Sequence, residues 1–242
     1  MAVSELCKGK QLEEEGKLEE AIAFYRQELV LNSNNSWAYH RMGEVLTKLG
    51  HFHEAVTAYR HAIELKPDFS WSYHHLGDAL AQQQQWEESA TAFSEAIELN
   101  PEHYGSYVGL GKSLAKMGQL DEAIATYLSA KALNPDADWI NFSLAEVVEQ
   151  KKQSDLVLAI ANRQREIELD PDNLQVYYNL LEIQPNNCHV WLQLADILAN
   201  QCRLEEAIVV YRQVLQLLDP GNQTNSNLNI KGGQKSGIAH LT

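Results

Sequence analysis

Nine histidines and several paired acids are the residues of this chain that could do chemistry. A zinc site needs three or four ligands converging at about 2 Å. His40, His74 and His75 lie on helical stretches, while His51 and His53 share one turn. Histidines a full structural period apart need not converge, and neither an HExxH run nor a cysteine pair accompanies them. The expectation is therefore no metal and no cofactor. Gly232-Gly233-Gln234-Lys235-Ser236 lacks the glycine directly before lysine that a phosphate-binding loop requires. Glu19-Glu20, Glu87-Glu88 and Glu205-Glu206 open helical stretches, where they complement the positive end of the helix dipole, so catalytic carboxylates are not needed to explain them. The chain reads as a non-enzyme.

The elements that carry these residues recur. Gly9, Gly43, Gly77, Gly111 and Ala145 stand 34 apart, followed in phase by Tyr25, Tyr59, Phe93 and Tyr127. Such a period marks stacked units, each burying its apolar face against its neighbours, with no single catalytic cleft. Within a period two amphipathic patterns follow one another, as in helix A from Ser36 to about Leu49 and helix B from about His53 to Leu65, with Gly50 at the turn. Pro67, Pro101 and Pro135 repeat the same stop. Gly43 and Ala55 lack bulk where the two helices cross, and Met42, Leu46, Tyr59, Ala62 and Ile63 supply the apolar contacts.

This pattern resembles the tetratricopeptide repeat, whose signature is W-x2-L-G-x2-Y, then A-x3-F, then P. Tyr39, Met42, Gly43, Leu46, Ala55, Tyr59 and Pro67 fill its seven places, and the next two units match as closely, through Tyr73 to Pro101 and Tyr107 to Pro135. The resemblance implies an all-α, right-handed α-solenoid (a superhelix) of antiparallel helix pairs. Five pairs are expected over 2–171, the first a cap with Glu5, Lys8 and Ser33 at signature places. The fifth carries two added residues around Lys151 to Ser154, and Arg163 in place of an aromatic. Pro185 follows Pro171 too soon for a pair, so 172–187 is a half repeat, a single helix near 173–185 that interrupts the array. A final pair follows over 188–220, with Trp191, Leu194, Ala195, Ala207 and Tyr211, and the polar stretch 221–242 reads as a disordered tail.

In the family this chain resembles, A helices line the concave side, and the second, fifth and ninth places of each are free to bind. Here they hold Trp37, His40 and Glu44; Trp71, His74 and Asp78; Gly105, Val108 and Lys112; and Trp139, Phe142 and Glu146. The tryptophans are candidate anchors, although packing between units explains them equally well. The Lys and Asn set with which some relatives clamp a C-terminal carboxylate is missing, and so is the asparagine ladder of the sugar-transferring relatives. The sixth places hold Cys7, Arg41, His75, Gly109 and Ser143.

A net charge of −14 repels nucleic acid and anionic membranes and favours a basic or aromatic-bearing segment of another protein. Met1 to Lys10 has no secretion-signal pattern, and no run approaches a membrane span, which points to the cytoplasm. The last helix is apolar for a terminal unit; Val210, Val214, Leu217 and Leu218 offer an end-on surface, and with it a homodimer as one alternative. The other is the targeting region of a larger bacterial glycosyl-, sulfo- or methyltransferase.

Overall fold

A computed structural model describes residues 2–218, with side chains from Lys8 onward. The tail expected at 221–242 lies outside the described residues. Twelve α-helices and no strand occur among them: α1 (Ala2–Glu14), α2 (Leu18–Leu31), α3 (Ser36–Lys48), α4 (Phe52–Leu65), α5 (Ser70–Gln82), α6 (Trp86–Leu99), α7 (Tyr104–Lys116), α8 (Leu120–Leu133), α9 (Asp138–Leu169), α10 (Leu174–Ile183), α11 (Cys188–Asn200) and α12 (Leu204–Leu218). None of these helices is long and apolar enough to cross a membrane. The chain divides after Lys152 into two compact units.

In the first unit, α1/α2, α3/α4, α5/α6 and α7/α8 are the helix pairs that the period predicts, and each pair packs on the next. One lock closes every pair. The ring of helix B lies flat on the glycine of helix A, so that a Cβ on Gly43 would stand 2.7 Å from Tyr59, and on Gly77 2.9 Å from Phe93. Tyr25, Tyr59 and Phe93 are fully buried there. The period also fixes the A-to-B turn, where one residue must enter the left-handed region: Gly16 at φ +73°, Gly50 at +79°, Gln84 at +60° and Gly118 at +80°.

Each ring then meets the following A helix at its sixth place, and the chemistry differs at every such seam. Tyr25 donates its hydroxyl to Glu13 Oε1 at 2.7 Å, and Arg41 donates to the other oxygen of the same carboxylate at 2.7 Å. Tyr59 stacks on His75 with centroids 5.9 Å apart. Phe93 fits only because Gly109 has no Cβ, which would lie 2.2 Å from it. Tyr127 comes against the hydroxyl of Ser143.

The fifth pair does not form. Residues 138–169 make one continuous helix, α9, and the expected turn at Lys151 to Ser154 is helical. Three departures explain it. The next place in the turn series is Lys152, for which the left-handed conformation costs about 1 kcal/mol or more, and no glycine, proline or asparagine stands beside it. Ala145 replaces the notch glycine, and Arg163 replaces the ring that would fill it, so folding back would gain little. The start of α9 still completes the first unit, since Ile140 and Val147 are buried with Ala123, Tyr127 and Ala130.

In the second unit, Ile160 and Ile167 of α9 pack with α10, α11 and α12 around Tyr177, Leu180, Leu194 and Leu198. The helix α10 is the single helix expected near 173–185, and α11/α12 is the final pair. Asn173 and Asn187 cap α10 and α11 by accepting from Gln175 N and Val190 N. Cys202, at φ +62°, makes the turn into α12.

Candidate functional site

The A helices α3, α5, α7 and the start of α9 form one wall of the first unit. Here α3 touches α5 and α5 touches α7, whereas no B helix comes comparably close to the next among the described residues. A helices drawn together while B helices splay make the A side the inner wall.

The candidates separate along this wall. Trp37 packs edge-on to Tyr25 at 6.1 Å, with the Arg41 guanidinium 5.7 Å above its ring, so packing accounts for it. Val108 is also partly buried, against the cluster around Tyr127 and Ile140. Trp71 is 44% exposed, Trp139 50% and Phe142 74%. Lys112 and Glu146 are exposed. Trp71, His103, Tyr104 and Trp139 run as a file of rings with successive centroids 4.6, 6.3 and 6.4 Å apart. His103 and Tyr104 escape the sequence reading because they precede or open helix A, ahead of the places that the resemblance marks.

The other half of the wall is a histidine cluster. His40 is buried and shares a hydrogen bond with Ser72 Oγ through Nδ1 at 3.0 Å. One pair later His74 Nδ1 does the same with Ser106 Oγ at 3.2 Å, which also meets His103 Nδ1 at 2.8 Å. His75 Nε2 lies 3.6 Å from Glu44 Oε1, and His40 Nε2 lies 3.9 Å from the same oxygen. His74 Nε2 lies 3.4 Å from Asp78 Oδ2. The expectation that histidines a period apart stay separate is corrected here. Adjacent A helices stack so that the sixth place of one comes against the fifth of the previous, which joins His75 to His40 at a ring separation of 5.5 Å.

Burial holds these imidazoles unprotonated at neutral pH. It pushes His40 and His74 down to about 3, aided in each by His75, and His75 down to about 4, aided by His103. Burial also raises the Glu44 carboxyl, against the pull of Arg41. Arg41 is clamped between Glu44 and Glu13, reaching Glu13 Oε2 at 2.7 Å. The wall thus offers neutral hydrogen-bonding imidazoles, half-exposed rings and carboxylates.

The end-on candidates separate too. Val210 and Val214 are buried and Leu217 is half-buried; of the four only Leu218 is exposed. The exposed apolar residues of α12 are instead Leu204, Ile208, Val209, Leu215 and Leu218. The heptad-like spacing of Val210 and Val214 follows the side that packs on α11.

Models of the tetratricopeptide repeat match residues 43–84, 74–138 and 189–217. With the glycine–ring lock repeated through four pairs, this places the chain in the tetratricopeptide repeat family. Among solved structures it is similar to MamA from Desulfovibrio magneticus RS-1, at 15% identity and a TM-score of 0.52 over 91% of this chain and 97% of that one. It is also similar to a MamA RS-1 double mutant, at 15% identity and 0.53 over 92% and 97%. Another MamA crystal structure matches at 16% identity and 0.51 over 94% and 97%. These likenesses concern the fold. Comparison with curated proteins finds no match.

Proposed function

We propose that the protein is a non-enzymatic scaffold whose inner wall, on α3, α5, α7 and the start of α9, holds an extended or helical segment of another protein. The observation that carries this reading is the file Trp71, His103, Tyr104 and Trp139, with exposed Phe142 three residues along α9. Rigid aromatics left 44–74% exposed at Trp71, Trp139 and Phe142 keep apolar area for a partner to bury. Glu44, Asp78 and Glu146 on the same wall, with a chain charge of −14, favour a basic segment that also carries aromatic or apolar anchors. Lys112 adds one opposing charge.

Peptides selected from a random library on the purified chain test it. They are expected to be rich in Lys, Arg and aromatics, and to lose roughly tenfold or more in affinity when Trp71 and Trp139 are both alanine. Replacing Glu44, Asp78 and Glu146 by lysine slows their association at low salt. Selected peptides that bind both variants as they bind the parent refute the reading.

A second reading rests on α12. Its exposed Leu204, Ile208, Val209, Leu215 and Leu218 are apolar area that a second copy could cover. Sedimentation of the purified chain decides it: a concentration-independent monomer rules it out.

A further inference from the structure

We propose that His40, Glu44 and His75 form a binding site for one divalent transition-metal ion of the zinc class. The three donor atoms lie within 4.8 Å of one another. Around an ion at about 2.0–2.1 Å, tetrahedral donors stand about 3.3 Å apart. His75 Nε2 and His40 Nε2 already approach Glu44 Oε1 to 3.6 and 3.9 Å, within about 0.6 Å of that spacing.

The surroundings are arranged as a metal site requires. Ser72 Oγ lies 3.0 Å from His40 Nδ1, and by accepting from Nδ1–H when an ion is bound it would leave the Nε2 lone pair, on the side of Glu44, for the metal. The Glu44 carboxylate is divided: Arg41 holds Oε2, and Oε1 is the oxygen that faces the imidazoles. Arg41 in turn leans on Glu13, which offsets its charge near an incoming cation. Tyr59 and Trp71 both stack on His75, with centroids 5.9 and 6.0 Å away, which restrains the plane of that ring. Two imidazoles and one carboxylate select zinc, nickel or copper over magnesium or calcium, which want oxygen donors. Three protein ligands leave the fourth position open. His74, His75 and Asp78 make a neighbouring group with the same spread of donors, and because both groups draw on His75, the stoichiometry is one ion per chain.

This site does not depend on the groove binding a peptide. The test is calorimetric titration of zinc into the full chain, prepared without a histidine tag and freed of metal with EDTA, with cobalt absorption as the spectroscopic signature of nitrogen and oxygen ligation. One equivalent is expected to bind, and His75→Gln or Glu44→Gln to weaken binding roughly tenfold or more. Both side chains are partly exposed, so these variants should keep the fold. Ser72→Ala is expected to weaken binding through the His40 tautomer, and His189→Gln on α11 to leave it unchanged. The proposal is overturned when the parent chain shows no saturable binding up to about 1 mM, a very weak affinity. It is overturned equally when binding survives both His75→Gln and Glu44→Gln, or is abolished by changes at the exposed His51 and His61 instead.

Discussion

Replacing Gly109 by alanine sets two effects against each other. Alanine inside a helix is favoured over glycine by about 1 kcal/mol. The new Cβ, however, would stand 2.2 Å from Phe93 Cζ, where ordinary contact begins near 3.4 Å, so the ring must move by more than an ångström. Phe93 is only 1% exposed, and on its other side a Cβ on Gly77 would already be 2.9 Å away, so the ring has no slot to retreat into. Overpacking of this kind costs about 1–3 kcal/mol, and the double confinement places it at the upper end. The net expectation is a loss of about 1–2 kcal/mol, or roughly 2–8 °C in melting temperature. Thermal and urea unfolding followed by circular dichroism measure it. In a Phe93→Leu background, where the ring is gone, the same alanine is expected to become neutral or stabilising. A Gly109→Ala protein as stable as the parent with Phe93 in place refutes the two-sided lock.

Gly50→Ala isolates the turn: nothing lies within 4 Å of a Cβ there, but φ is +79°, so a loss of about 1 kcal/mol is expected from backbone strain alone, read as a lower urea midpoint. Alkaline titration reads the buried rings. Burial raises the phenols of Tyr25 and Tyr59 far above their usual range and that of Tyr127 to about 12. The unfolded chain therefore loses these protons first, so stability is full below about pH 10 and falls as pH rises beyond it. Tyr59→Phe with Tyr127→Phe, which gives both pairs the ring that Phe93 already supplies to the third, is expected to flatten that fall; an unchanged slope of urea midpoint against pH counts against it. Cα chemical shifts at Lys151 to Ser154 are expected to be helical without interruption, and turn values at Lys152 would restore the fifth hairpin.

The pairs were legible because their requirements are local: a glycine notch, a ring to fill it, and a residue able to take positive φ at the turn. The same signals foretell the loss of the fifth pair. Lys152, Ala145 and Arg163 each break one of them, but the spacing from Pro135 to Pro171 suggests a hairpin with two added residues, and it masks their joint meaning. The tryptophan question resolves by neighbours: Trp37 has Tyr25 and Arg41 to pack on, while Trp71 and Trp139 keep half their surface. The meeting of His40 with His75 was not legible, since it depends on how one pair stacks on the next. Likewise the inward side of α12, which takes Val210 and Val214, is set by α11 and not by the helix alone.

The four seams carry a further consequence. A tyrosine donating to the glutamate that holds an arginine, a tyrosine lying on histidine, a phenylalanine against bare backbone and a tyrosine beside serine are not interchangeable partners. Were two pairs transposed, Phe93 would meet Arg41 without the hydroxyl and Glu13 carboxylate that Tyr25 and its pair bring, and Tyr59 would meet Gly109 without His75 to lie on. Near-identical modules in one polypeptide invite mispairing and exchange between molecules; here each joint has its own side-chain chemistry, which favours the native neighbour over a transposed one and so adds to the short links in keeping the modules in order.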